Sequence, residues 1–200
     1  NQPSFIDVQW EPLGEVDVTE RALLADPSKK NLLSAATKVI HLTPAIGTEI
    51  HGIDLRQLTD QQKDELYVNR CCTVNNELIV MFFKRFLLPS VALSVSINLR
   101  INVNYAHSMT IFRDQEIDIY QQLDLARHYG PLHKHATTAI PAVGLEEVHV
   151  VYNDSSRRPD PTAFSKIELW HSDVTYEIQP PGLTSLKVIT NPDVGGDTLW

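Results

Sequence analysis

The chain has 200 residues and a mass of 22.6 kDa, the size of one domain, and its 42% hydrophobic and 21% charged residues form an ordinary globular balance. Its formal charge of -8 argues against a protein that binds nucleic-acid backbones, because such proteins concentrate Lys and Arg. The two cysteines, Cys71 and Cys72, are adjacent and therefore predict neither a relaxed disulfide between them nor a zinc site.

Residues 1–38 predict an irregular N-terminal arm, because Pro and Gly recur there without a sustained hydrophobic period. One short helix is expected in this arm, near Glu20–Ala25. The remaining residues, 39–200, are expected to form the domain. A strand is predicted within Ile46–Asp54, where apolar and polar residues alternate. A helix from about Asp60 to Asn69 should follow, since Thr59 is a good N-cap with Gln62 three residues later.

A second helix is predicted from Asp118, an N-cap residue with Gln121 three positions later, to a stop near Gly130. After this helix the chain favours strands. The clearest are the β-branched run Val148–Tyr152 and the alternating run Leu183–Thr190. Helices first and antiparallel strands later indicate an α+β or β-sandwich architecture.

The segment 71–110 departs from the rest of the chain, because it contains no Gly and no Asp and follows neither a strand nor a helix period. A membrane helix is one interpretation of its apolar runs. Lys84, Arg85 and Pro89 interrupt those runs, so no stretch reaches the roughly 18 apolar residues that a span needs. The start of the chain shows no leader pattern either. We therefore expect a soluble, cytoplasmic protein without a membrane partner.

The most specific local pattern is Trp170–Asp173. In an extended backbone the side chains of His171 and Asp173 would lie on one face, because strand side chains repeat every two residues. An imidazole and a carboxylate in this arrangement are two of the three ligands of a facial triad that holds Fe(II). Spacing alone decides nothing, because 8 His and 25 acidic residues in 200 positions give 8 × 25/200 = 1 such triplet by chance.

The order of several motifs is more specific than any one of them. Together they resemble the taurine dioxygenase family, TauD/TfdA, over most of residues 40–70 and 111–200. The blocks that carry the resemblance are Leu42–Leu55, Phe112–Gln115, Tyr129–His133, Trp170–Tyr176, Pro180–Gly182 and Gly195–Trp200.

The resemblance implies an Fe(II)- and 2-oxoglutarate-dependent dioxygenase with a double-stranded β-helix, or jelly-roll, fold and flanking helices. It assigns His171 and Asp173 as iron ligands and Thr198 as a contact of the 2-oxoglutarate carboxylate. Three residues are assigned to the substrate pocket: His135, Val174 and Tyr176. The implied reaction uses O2 to hydroxylate a small anionic substrate such as taurine or another alkylsulfonate. Hydroxylation beside sulfur gives an unstable product that releases sulfite.

The chain departs from the family pattern in three respects. No His or Arg among these residues matches the distal iron ligand or the arginine that pairs with 2-oxoglutarate, so the jelly roll is expected to be incomplete. Ile167 replaces a polar substrate contact of the taurine-specific members, which puts taurine itself in doubt. The segment 71–110 has the position of an insertion, and we hypothesise an unremoved intron or a faulty gene model. A transcript that contains every codon of this segment would refute that hypothesis.

Two other functions remain open at this stage. One is an inactive, truncated pseudoenzyme or gene-model fragment without catalysis. The other is a zinc hydrolase built on His133, His135 and Asp173, because the two histidines would share one face of an extended segment. The sequence also leaves a homo-oligomer open.

Overall fold

The computed structural model describes residues 14–43, 47–68, 78–83, 91–98, 109–135, 139–152, 174 and 176–190. Its helices are α1 (Lys30–Ala35), α2 (Asp60–Val68) and α3 (Ile119–Arg127), with 3₁₀ turns at Arg21–Leu23 and Leu55–Gln57. Its strands are β1 (Lys38–His41), β2 (Thr48–His51), β3 (Leu78–Phe83), β4 (Val91–Asn98), β5 (Met109–Arg113), β6 (His149–Tyr152) and β7 (Pro181–Thr190).

The described strands form one mixed sheet in the order β1-β2-β5-β3-β7-β4-β6. Strand β4 pairs antiparallel with β6 and β7, as β1 does with β2, whereas β5 runs parallel to β2 and β3, and β3 runs parallel to β7. Helices beside a mixed sheet confirm the α+β class. Strands β3 and β4 both come from the atypical segment 71–110, and both occupy interior positions of the sheet.

The predicted starts of α2 and α3 are confirmed, and each is a reciprocal cap. The Gln62 backbone N–H donates to Thr59 Oγ1 (3.2 Å), while the Thr59 N–H donates to Gln62 Oε1 (2.9 Å). At α3 the same exchange joins Asp118 and Gln121, at 2.8 and 2.9 Å. Helix α3 ends at Arg127, three residues before Gly130, because the chain turns at Tyr129.

Helix α1 lies in the arm that the sequence predicts to be irregular apart from one short helix near Glu20–Ala25, where the structure has the 3₁₀ turn Arg21–Leu23. Its N-cap, Lys29, has a left-handed backbone (φ 55°) and makes no side-chain cap. The cap comes instead from Glu65 in α2, whose Oε2 accepts from the Leu32 N–H (2.7 Å) and whose Oε1 accepts from Asn31 Nδ2 (2.5 Å). Leu32 and Glu65 are both fully buried. The helix thus depends on a residue more than thirty positions away, which no local pattern contains.

Strand β2 confirms the predicted strand within Ile46–Asp54, but it is shorter and does not alternate in burial. Thr48, Glu49 and Ile50 are all buried, and the Arg113 guanidinium donates to Glu49 Oε2 at 2.9 Å. This hydrogen bond, opposed by partial desolvation, lowers the pKa of the Glu49 carboxyl. Gly52 ends the strand with φ 79°.

Replacing Gly52 by Ala is expected to destabilise the fold by about 3 kcal/mol, the sum of a left-handed backbone penalty and overpacking. A Cβ there would lie 2.4 Å from Thr37 Cγ2 and Oγ1. Gly144→Ala is the matched control, because Gly144 has a similar φ of 89° but no atom within 4 Å of an added Cβ. Urea unfolding should show a loss of about 1 kcal/mol for the control. Equal losses in the two variants would contradict the close approach to Thr37.

The two faces of β7 differ in burial, and the difference defines the faces of the sheet. Its buried side chains face α3, since Gln122 Nε2 donates to Ser185 Oγ (2.9 Å) and the Lys187 ammonium donates to the Ile117 carbonyl just before α3. The buried positions from 183 onward are Leu183, Ser185 and Lys187. The partly exposed positions between them are Thr184, Leu186 and Val188. We call the surface that carries the second set the open face of the sheet.

The structure bears on the membrane interpretation in one respect. Within the described ranges no helix has the length and hydropathy needed to cross a bilayer.

Candidate active site

Two histidines considered as site residues from the sequence, His133 and His135, lie in the segment that follows α3. Leu132 is buried and anchors this segment in the core, and His133 next to it is only 2% exposed. The rings of His133 and His135 meet edge to face with centroids 6.0 Å apart. The two histidines therefore lie on the same side of their segment, as an extended backbone predicts.

A third histidine, His149, reaches the same place from β6. Its register partner is Ser94 in β4, and Ser94 in turn pairs with Leu186 of the open face. Its ring centroid lies 5.1 Å from that of His135 and 6.1 Å from that of His133. By strand alternation His149 points away from the face of Val150, which packs on the core. The three imidazoles form a cluster, the histidine cluster, on the open face.

The histidine cluster is tied to the segment that carries two further predicted residues, Val174 and Tyr176. His133 Nε2 lies 2.8 Å from Glu177 Oε1, and an ionised carboxylate only accepts, so the imidazole donates its Nε2–H. Val174 is buried with a left-handed backbone (φ 45°), whereas Tyr176 is 76% exposed.

The far end of this turn is also fixed. Gln179 is buried, and its Oε1 accepts from the Val16 N–H at 2.9 Å. Residues 176–179 therefore connect the N-terminal part of the chain with the histidine cluster, because Gln179 bonds to Val16 and Glu177 bonds to His133.

The electrostatics of the cluster keep His149 neutral. Burial, and then the neighbouring rings of His135 and His133, lower the pKa of His149 to about 3 from its ordinary value of 6.5. Among the described residues, neither Nε2 of His149 nor Nδ1 of His133 has a hydrogen-bond partner, although both atoms are buried. Two buried ring nitrogens thus have hydrogen-bonding capacity that no described residue uses.

The neutral state of His149 makes the stability of the fold depend on pH. Since its pKa is lower in the folded chain than in the unfolded chain, the unfolded chain binds the proton first as the pH falls. Stability is therefore complete above pH 6.5 and is lost as the pH falls toward 3, by up to about 1.4 kcal/mol per pH unit. Urea unfolding between pH 7 and 5 should show this slope, and His149→Gln should reduce it.

Val151→Ala serves as the non-titrating control for this slope, because Val151 is on the same strand and 55% exposed. It should shift the free energy of unfolding by the same amount at every pH. A slope that survives in His149→Gln would show that another group causes it.

The remaining predicted residues, His171, Asp173 and Thr198, lie outside the described residues. Their roles stay predictions, as do those of His135, Val174 and Tyr176. Within the part of the chain that the structure describes, no group of three His, Cys, Asp or Glu side chains is arranged to hold a metal. His149 and Glu177 were not predicted as site residues from the sequence. The alternation of Val148–Tyr152 was a usable signal, because it separates His149 from the core-facing Val150.

Comparison with known proteins supports the resemblance. Residues 88–200 match the family model described as taurine catabolism dioxygenase TauD, TfdA family. The alpha-ketoglutarate-dependent sulfonate dioxygenase of Saccharomyces cerevisiae is 32% identical over 203 residues, which cover 96% of this chain and 40% of that protein. The alpha-ketoglutarate-dependent dioxygenase cnsP of Penicillium expansum is 33% identical over 195 residues, covering 94% of this chain and 44% of that protein.

A Schizosaccharomyces pombe protein, whose name also describes an alpha-ketoglutarate-dependent sulfonate dioxygenase, is 32% identical over 200 residues and 99% of this chain. The chain spans 42% of that relative's length. No solved structure matches. Because the family model covers more than half of the 200 residues, the chain belongs to the TauD/TfdA family.

Proposed function

We propose that the chain carries the front part of an Fe(II)- and 2-oxoglutarate-dependent dioxygenase that hydroxylates a small anionic substrate, with an alkylsulfonate as the best candidate. Two of the relatives are named as sulfonate dioxygenases. The observation that carries the proposal is the hydrogen bond from His133 to Glu177, which connects the histidine cluster with the segment of Val174 and Tyr176. This bond joins the two segments in which the resemblance places the substrate contacts His135, Val174 and Tyr176.

The open face of the sheet supports the same proposal. A jelly roll has a second sheet that covers one face of the first, and the family resemblance implies flanking helices beside it. Here α3 packs on one face, while the opposite face keeps partly exposed side chains and the histidine cluster. We propose that the seven described strands contribute to such a jelly roll, with its pocket on the open face.

The donor set proposed for the metal suits ferrous iron. The imidazole of His171 and the carboxylate of Asp173 are the ligand types that non-haem Fe(II) oxygenases use, and they leave positions for a chelating cosubstrate. Thr198 would contact the carboxylate of 2-oxoglutarate. When bound, iron and 2-oxoglutarate would activate O2: one oxygen atom would go to the succinate formed as 2-oxoglutarate loses CO2, and the other to the hydroxylated substrate.

The residues of the chain would then bind and orient the substrate. His135 would contact the anionic head group, and Val174 and Tyr176 would make apolar contact with its carbon chain. Because His133 and His149 are buried, this end of the proposed pocket would be shielded from water. The alternative is an inactive fragment that retains the pocket without turnover.

One assay separates the dioxygenase from the inactive fragment, and both from a zinc hydrolase. The chain is purified anaerobically, supplied with Fe(II), 2-oxoglutarate and taurine or propane-1-sulfonate, and then exposed to air. Succinate and sulfite should form together, and both should stop when iron or 2-oxoglutarate is omitted. Protein that binds no iron and makes no succinate would support the inactive fragment, and tightly held zinc would support a hydrolase.

A further inference from the structure

The structure assigns a role to His149 that the family resemblance does not give. His149 is 8% exposed, yet the face of β6 on which it lies is the open face and not the face packed on the hydrophobic core. Its nearest described aromatic rings are the two other imidazoles of the histidine cluster. A polar ring buried against polar rings needs a partner for its nitrogens, because an unmade buried hydrogen bond costs about 1–3 kcal/mol.

The bonding of the cluster indicates which nitrogens are available. His133 uses its Nε2–H on Glu177, so its Nδ1 carries the lone pair when the ring is neutral. His149 is neutral and has one N–H to place on either nitrogen, and its buried Nε2 has no partner within the described ranges. If this nitrogen carries the proton, its N–H is a hydrogen-bond donor without a described acceptor.

The chemistry of the cluster favours an anion over a metal as the missing partner. The described residues contain no set of three side chains arranged as metal ligands. The head group of a sulfonate has three acceptor oxygens and can accept from more than one imidazole at once. The ring centroids of the cluster lie 5.1 to 6.1 Å apart, so a head group seated beside His135 would also lie close to the His149 ring.

We propose that His149 is a specificity-determining residue, a neutral imidazole whose Nε2–H donates a hydrogen bond to the oxyanion head group of the substrate beside His135. This inference rests on the proposed function, since it places the substrate at the histidine cluster. It adds a contact from β6 to those implied by the resemblance. Because the donor is neutral, substrate binding at this position needs no proton uptake.

The test compares two variants of His149 for binding of propane-1-sulfonate. The chain is loaded anaerobically with Fe(II) and 2-oxoglutarate, and the Kd is measured by isothermal titration calorimetry. His149→Leu removes the donor and should raise the Kd about tenfold to a hundredfold, the range for one hydrogen bond to a charged group. His149→Gln puts an amide N–H close to the position of Nε2 and should bring the Kd back to within about threefold of wild type.

A second readout does not depend on iron. Long-range ¹H–¹⁵N spectra of the metal-free wild type should show His149 protonated at Nε2, and propane-1-sulfonate should shift that nitrogen. His149→Leu should leave the Fe(II)–2-oxoglutarate absorption unchanged, because His149 is not assigned to either group. If His149→Leu fails to fold, His149→Gln and the spectra still decide the question.

Different results would contradict the proposed function and the proposed role of His149. Wild-type protein that never forms the Fe(II)–2-oxoglutarate complex would count against the proposed function. A normal complex whose sulfonate Kd is unchanged in His149→Leu, or spectra in which sulfonate leaves His149 unmoved, would overturn the role of His149 alone. Zinc held by the wild type and lost in His149→Gln would also overturn it, in favour of a metal site.

Discussion

Replacing Glu65 by Ala is expected to lower the free energy of unfolding by about 3 kcal/mol, because it removes a fully buried carboxylate with two partners. Glu65 accepts from the Leu32 N–H and from Asn31 Nδ2 and so caps α1 from a distance. Without it the buried Leu32 N–H loses its acceptor, and α1 loses two of its hydrogen bonds to α2, while that from Gln62 Nε2 to the Asn31 carbonyl stays. Urea unfolding followed by circular dichroism measures the loss.

Two further variants separate the parts of this effect. Glu65→Gln keeps one acceptor oxygen and should lose less, about 1 to 2 kcal/mol. Asn31→Ala removes only the side-chain partner of Oε1 and should lose about 1 kcal/mol. If Glu65→Ala unfolds at the same urea concentration as the wild type, α1 is not held by this carboxylate.

Replacing Asp173 by Ala is expected to lower succinate formation at least about a hundredfold. Loss of a group that only supports a metal ligand typically costs 10- to 100-fold, so loss of a proposed ligand should cost more. The carboxylate would both hold the iron and balance its charge. Rates of 2-oxoglutarate turnover and the iron content of the purified protein are the measurements.

Ser172→Ala is the matched control for Asp173→Ala. Ser172 stands between His171 and Asp173 in the sequence, and the extended backbone predicted for this segment would put Ser172 on the face opposite to theirs. It should keep iron content and turnover to within about threefold of wild type. Equal losses in the two variants would indicate a general disturbance of the segment, and full activity in Asp173→Ala would remove this residue from the metal site.

The helices show which parts of a fold can be read from sequence. The starts of α2 and α3 were predictable, because each cap is made by residues three positions apart. Helix α1 was not, since its N-cap residue makes no side-chain cap and the N–H of Leu32 is satisfied by Glu65. A helix that depends on a distant carboxylate carries no signature in its own six residues.

The sheet shows a similar limit. Strands β2, β6 and β7 were recognisable from alternation and turn residues, but their order was not, because pairing depends on register between distant segments. The parallel pairing of β2 with β5 joins Thr48 to Thr110, which are 62 positions apart in the sequence. Nor did the hydrophobic pattern of 71–110 predict two interior strands.

The site could be predicted only in part, for the same reason. His133 and His135 on one side of their segment follow from spacing, and the structure has them so. His149 joins them only through the pairing of β6 with β4, and Glu177 joins through a bond across 44 residues. The alternation within Val148–Tyr152 separates the face of His149 from that of the core-facing Val150, but it does not show which residues lie beside His149.

The most direct test of the proposed function is an anaerobic titration of the Fe(II)-loaded chain with 2-oxoglutarate, followed by visible absorption. The proposed function predicts a saturable charge-transfer band that requires both components, responds to propane-1-sulfonate and disappears in Asp173→Ala. Iron that binds without such a band, or a band of equal intensity in Asp173→Ala, would contradict it.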